Sequence, residues 1–121
     1  MSQPTVVQQS KAQMVKYLKS RTPRTIKVLG VPFKIRFNHK VPASEKGTYA
    51  VTIGEDREII VYVRRITSVE QFRSTLIHEL LHAALHVSGV TNGLVEEQEE
   101  SVVVALESFL SQTMDFKEFN V

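Results

Sequence analysis

Residues 67–89 read TSVEQFRSTLIHELLHAALHVSG, and the spacing inside this stretch sets what the rest of the chain must supply. Val69, Phe72, Leu76, Leu80, Ala84 and Val87 recur at three- and four-residue steps, which predicts one amphipathic helix resting that stripe on a sheet. Thr67-x-x-Glu70 and Ser68-x-x-Gln71 are overlapping capping boxes for its start, and Gly89 is its stop. His78, Glu79, His82 and His86, with Thr75, project on the side opposite the stripe. Leu81 and Leu85 border that second face, where another helix can meet them.

His78-Glu79-Leu80-Leu81-His82 is the pattern H-E-x-x-H. Residues four apart on a helix lie one above the other, so the two imidazoles can share a metal ion. A zinc ion polarises a bound water, and the carboxylate of Glu79 is placed to take its proton. The bland alternative is a set of ordinary polar residues on an exposed face. Helical context, a face free of the core and carboxylates downstream favour the metal site.

A hydrolytic zinc site uses three protein ligands and an open position. His86 extends the row, but it sits about 12 Å from His78 along the axis at 1.5 Å per residue, too far to share one ion on a straight helix. The other source is Glu96-Glu97-Gln98-Glu99-Glu100, which opens a second predicted helix from about Leu94 to Gln112. Carboxylates in a first turn also simply complement the helix dipole. Helical phase puts Glu99 nearest the stripe Val102, Val103, Leu106, Phe109 and Leu110, so the residues alone leave the third ligand open.

Upstream the period changes to two. Thr25-Ile26-Lys27-Val28-Leu29 alternates, Gly30-Val31-Pro32 is the expected turn, and Phe33-Lys34-Ile35-Arg36-Phe37 alternates with its apolar residues inward. After a loop over Asn38–Gly47, strands are expected at Thr48–Ile53 and Glu58–Val63, joined by Gly54-Glu55-Asp56-Arg57. Ile59-Ile60-Val61-Tyr62-Val63 is the most β-prone run and is expected inside the sheet. Ser10–Ser20 suits a short helix closed by Thr22-Pro23, residues 1–10 show no period, and Asp115–Val121 either packs back or frays.

At 121 residues the chain has the length of one domain. It divides into an N-terminal arm and helix (1–22), a β-sheet (24–63) and a two-helix metal-site region (67–113). An apolar fraction of 42% and a charged fraction of 23% are those of soluble globular proteins. Cysteine is absent, which excludes disulfides, thiolate metal sites and a cysteine nucleophile. No apolar run approaches a membrane span and MSQPTVVQQSKAQM lacks a signal-peptide core, so the expectation is a soluble intracellular protein without a membrane partner. The net charge of +2 does not by itself imply a nucleic-acid partner. Lys and Arg do concentrate in residues 11–40, which reads first as a solvated surface.

A small sheet, an H-E-x-x-H helix and a Glu-bearing helix in this order resemble gluzincin-type metallopeptidases. The chain is similar in particular to the compact ImmA/IrrE-like and SprT-like zinc metallopeptidases of bacteriophages and prophages. The resemblance rests on Ile26–Ile35, Ile59–Val63, Thr75–Ala83 and Glu99–Leu106, and covers roughly residues 25–112. It implies an α+β fold of minimal zincin type. A small antiparallel or mixed sheet of three to four strands would pack on the H-E-x-x-H helix and the Glu-bearing helix after it, with an N-terminal helix added. It further implies Zn2+ held by His78, His82 and a Glu opening the second helix, with Glu79 as general base. Matching Glu-small-x-x-apolar-Ala to Glu100-Ser101-x-x-Val104-Ala105 selects Glu100, ahead of Glu99, Glu97 and Glu96. The cysteine ribbon or third His of SprT-like relatives has no counterpart here, His39 lying far upstream, and this argues against a DNA-repair role.

The expected activity is zinc-dependent hydrolysis of a peptide or protein substrate in the cytoplasm of a bacterial host. Tyr49 and Tyr62 are candidates for helping the oxyanion, though both read first as strand residues facing a neighbour. Two rivals stand beside this reading: a non-catalytic accessory protein in which zinc only ties two helices together, and a small basic nucleic-acid-binding module using Lys11–Arg36. Nothing in the sequence sets an oligomeric state.

Overall fold

The computed structural model describes residues 6–40 and 47–113. Helix α1 (Val6–Arg21) leads into strands β1 (Thr25–Val28) and β2 (Val31–Asn38). Strands β3 (Ala50–Ile53) and β4 (Glu58–Tyr62) follow, and a single 3-10 turn, Val63–Arg65, precedes helix α2 (Val69–Val87). A second 3-10 turn, Val90–Gly93, joins α2 to helix α3 (Glu96–Thr113). This is an α+β fold with a mixed four-stranded sheet in the order β1-β2-β4-β3. β1 and β2 are antiparallel, β2 and β4 parallel, and β4 and β3 antiparallel.

The alternation expected for β2 is present, with Phe33 and Ile35 buried, Phe37 half-buried, and Lys34 and Arg36 exposed. Ile59, Ile60, Val61 and Tyr62 are all buried, as an interior strand covered on both faces requires. The core joins Leu18 of α1, Val28, Phe33, Ile35, Ile59 and Val61 of the sheet, and Phe72, Leu76 and Ala83 of α2. Each fully buried large side chain contributes about 1.5–3 kcal/mol relative to an exposed one. Phe37 stacks on Phe72 at 5.8 Å, tying β2 to the first turns of α2.

Several boundaries differ from the sequence expectation. The β1–β2 turn is Leu29-Gly30, both in the left-handed region (φ 49° and 85°), and not Gly30-Val31-Pro32. Val28 pairs with Val31 to close a two-residue hairpin, which leaves Val31 and Pro32 inside β2. α1 starts before Ser10, and β3 is shorter than Thr48–Ile53. Of the two capping boxes at α2, Ser68 is the one in the cap: its hydroxyl accepts from Gln71 N, and Gln71 Oε1 accepts from Thr67 N. Gly89 ends the helix region at φ 82°. The readings of residues 1–5, of Pro42 in the loop and of Asp115–Val121 lie outside the described residues.

The largest departure concerns α3. Its predicted core stripe buries only Val103, while Val102, Leu106 and Phe109 stay exposed. α2 is the helix that packs on the sheet, and α3 packs on α2 instead, so most of its apolar run meets no strand. Among the described residues no helix is long and apolar enough to cross a membrane.

Candidate metal centre

α2 carries His78 and His82 on its outer side, one turn apart, with ring centroids 5.0 Å from each other. α3 returns across them from the far side of the Val90–Gly93 turn. Glu100 of α3 lies between the two rings, its Oε1 2.9 Å from His78 Nε2 and its Oε2 3.0 Å from His82 Nε2. The other ring nitrogens face carboxylates as well. His78 Nδ1 lies 2.9 Å from Glu107 Oε2, and His82 Nδ1 lies 2.6 Å from Glu99 Oε2. Ser74 donates to the second oxygen of Glu107.

The arrangement suits a cation. A carboxylate on Nδ1 holds each ring in the tautomer that leaves Nε2 as a lone-pair donor, the arrangement seen where histidine binds metal. His78, His82 and Glu100 each offer one ligand atom, all within 4.8 Å of one another. Metal–ligand bonds of about 2.0–2.2 Å span nearly that distance, and the exposed Glu100 side chain has freedom to close the remainder. This is a His–His–Glu group able to hold a metal ion, and among the described residues it is the one such group.

Glu79 is placed differently from expectation. It is 7% exposed, more deeply set than His78 and His82 although it lines the same cleft. At about 100° per residue it projects within about 20–40° of Phe72 and Ala83, at the border between the histidine row and the core. The edge strand β3 runs past that border. Thr52 of β3 places its hydroxyl 2.8 Å from Glu79 Oε1 and 2.9 Å from the Glu79 carbonyl. Burial pushes the Glu79 carboxyl up; the Thr52 bond and the charges of His78 and His82 offset part of this, and Glu100 adds to the rise. His78 also sits above its ordinary value. Burial alone would lower it, but the bond to Glu107 and the charges of Glu79, Glu100 and Glu107 outweigh that. For Glu99 burial acts upward, yet the net direction is downward because the Thr91 hydroxyl, His82 and His86 favour its charged form. Thr91 Oγ1 is buried beside it without satisfying hydrogen-bond geometry, so it acts there as a nearby dipole.

An open cleft follows β3. Its two hollows share Thr48, Ala50, His78, Glu79 and Glu100 as walls. Beyond these, one hollow reaches Tyr49, Gln71 and Ser74, and the other reaches Thr52, Gly54, His86 and Glu96. Tyr49 is half-exposed on this cleft, whereas Tyr62 is buried in the sheet. His86 stands outside the His–His–Glu group, its ring resting directly on the Cα of Gly54 in the β3–β4 turn. Glu96 and Glu97 are exposed and outside the group. His39 is bonded to Lys19 of α1, away from the cleft.

Sequence reasoning missed Thr52, Ser74 and Glu107. Glu107 carried one legible signal: it follows Glu100 by seven residues, which puts both on one side of α3. The chain matches no protein-family model, no curated protein and no solved structure.

Proposed function

We propose that the chain is a zinc-dependent metallopeptidase that hydrolyses peptide bonds in the cleft along β3. The observation that carries this reading is the buried Glu79 carboxylate, hydrogen-bonded to the edge strand and next to two histidines whose Nε2 atoms converge on Glu100. His78, His82 and Glu100 would hold the ion. Zinc, when bound, supplies Lewis acidity and makes a water acidic near neutral pH.

The chain's own residues account for the rest. Glu79 accepts the proton of the attacking water and delivers it to the leaving amine. Thr52 engages Oε1 of Glu79, which leaves Oε2 for that proton. Glu99 and Glu107 keep the imidazoles oriented. β3 ends the sheet, so its outer backbone groups can accept an extended peptide as an added strand.

Elemental analysis of the purified protein tests the metal: about one zinc per chain is expected in the parent and none in His82→Ala. Iron in place of zinc, or no metal, would overturn the assignment. Glu79→Gln should retain zinc and lose hydrolysis of a peptide library, and a variant cleaving as fast as the parent removes Glu79 as the base.

A further inference from the structure

Helix α1 carries Lys11, Lys16, Lys19 and Arg21 and no Asp or Glu. A surface helix normally intersperses the two signs, because opposite charges three or four residues apart support it. A trough separates one side of α1 from the Val63–Arg65 turn and shares no lining residue with the cleft along β3. Lys11, Lys16, Lys19, His39 and Arg64 line it beside the apolar Ala12, Val15 and Val63, and no carboxylate does.

Lys11 and Lys19 tie the walls of the trough together. The Lys11 ammonium donates to the carbonyl of Ile66, just past the turn. Lys19 Nζ lies 2.7 Å from His39 Nε2, just past β2. The two lysines are about 12 Å apart along the helix at 1.5 Å per residue, or about two turns. Lys16 and Arg64 are exposed, and among the described residues neither has a carboxylate partner. The trough therefore offers apolar surface and uncompensated positive charge together.

Several kinds of anion answer that charge, and the lining discriminates among them. A nucleic-acid strand covers such surface by stacking its bases on aromatic rings, and no Phe, Tyr or Trp lines the trough. A small amphiphile needs a pocket that takes most of its surface out of water, whereas this trough is open along one side. An amphipathic protein segment needs no enclosure. It sets apolar side chains on Ala12, Val15 and Val63 and its flanking carboxylates against Lys16 and Arg64.

We propose that the trough between α1 and the Val63–Arg65 turn is a docking site for an acidic amphipathic segment of a partner protein. The proposal is independent of any catalytic activity.

Fluorescence anisotropy on the full chain tests it, with a labelled Leu/Glu peptide about 15 residues long and patterned as an amphipathic helix. The expected result is saturable binding that weakens with added salt, and none by the Leu/Lys counterpart. Lys16→Glu and Arg64→Glu should each weaken binding at least about 10-fold, since each sets like charges against each other. Ala12 is exposed, so Ala12→Gln removes no packed atom and changes no charge. It should weaken binding as well, because its longer polar side chain stands where the apolar side chains lie. Circular dichroism of all three variants should match the parent. No binding by the parent, equal binding of the Leu/Lys peptide, or any of the three variants binding as tightly as the parent overturns the proposal. Tighter binding of oligothymidylate or oleate than of the peptide, lost in the same variants, would also overturn it and make the trough a nucleic-acid or lipid site. Self-association of the parent abolished by those variants would assign the trough to a second copy instead.

Discussion

Glu107 Oε2 lies 2.9 Å from Nδ1 of His78, a residue 29 positions earlier on the neighbouring helix. The bond fixes which nitrogen of His78 faces Glu100, and so couples the middle of α3 to the His–His–Glu group. Glu99 does the same for His82.

Removing such a partner leaves the ligand in place but lets its ring rotate and lowers its basicity. Glu107→Ala should therefore weaken zinc binding by about 10–100-fold, and Glu107→Gln, which can still accept the bond, by less. Competition against a chromophoric chelator measures both. Affinities equal to the parent's would reduce Glu107 to a surface contact between helices.

The metal-free protein should show an unusual dependence of stability on pH. Glu79 is raised above its ordinary 4.5 in the folded state. The stability it contributes is complete below 4.5 and is lost as pH rises through its folded value. His78, raised above 6.5, follows the same sign: its contribution is present below 6.5 and is lost on the alkaline side. Glu99 is lowered, so its contribution is present above 4.5 and fades as pH falls through the folded value. Chelator-treated protein should thus be most stable at mildly acidic pH and weaken towards neutrality. Glu79→Gln should remove the first descending step. Added zinc, if held as proposed, should reverse the trend, because its ligands must be deprotonated to bind it. Thermal melts from pH 4 to 8, with and without zinc, give both curves.

β2 was legible because one of its faces is buried and the period of two survives in Phe33, Ile35 and Phe37, and β4 because its continuous β-prone run is buried on both faces. The histidine row was legible for the same reason on the helix. The depth of Glu79 was not legible because its burial depends on which strand ends the sheet, and the order β1-β2-β4-β3 is set by pairings between distant residues. The apolar run of α3 was read as core because apolar spacing does not say what a helix packs against. The choice between Glu99 and Glu100 was beyond helical phase. Both reach His82, and only the three-dimensional arrangement puts Glu100 on the two Nε2 atoms and Glu99 on Nδ1.

Thr52 gives a test of Glu79 that leaves the carboxylate intact. The hydroxyl bond is one of the influences holding Glu79 down, so Thr52→Val should raise it further. The acid limb of the pH profile of kcat/KM then moves to higher pH, since Glu79 must be ionised to take a proton. A bond to a charged group is worth about 1.5–3 kcal/mol, so stability should fall by a comparable amount near neutral pH. A loss of stability with an unmoved acid limb would mean that Thr52 only braces the edge strand.

Leu29 occupies the left-handed region at φ 49° and is 68% exposed. A side chain with a Cβ costs about 1–2 kcal/mol there, and so much of Leu29 faces solvent that little packing offsets it. Asn is the preferred residue before Gly in this turn. Leu29→Asn should stabilise the protein by about 0.5–1 kcal/mol in urea unfolding without changing metal affinity. A destabilised variant would show that Leu29 makes a contact worth more than the backbone strain.

Gly54 of the β3–β4 turn packs closely against the His86 ring of α2. A Cβ on Gly54 would fall 2.5 Å from His86 Cγ, closer than any van der Waals contact allows. Gly54→Ala must therefore push the imidazole aside or lift the turn, at a cost of about 1–3 kcal/mol for overpacking. His86 is exposed, and His86→Ala alone should cost under about 1 kcal/mol. In the double variant the imidazole that the added methyl strikes is gone, so the Gly54→Ala penalty should largely vanish, leaving a coupling of at least about 1 kcal/mol. Because the turn continues directly into β3, Gly54→Ala should also disturb the Thr52 bond to Glu79 and lower the rate of hydrolysis, with His86→Ala restoring it. Additive penalties in the cycle would show that the turn shifts freely, and that His86 does not set the distance between the edge strand and the metal helix.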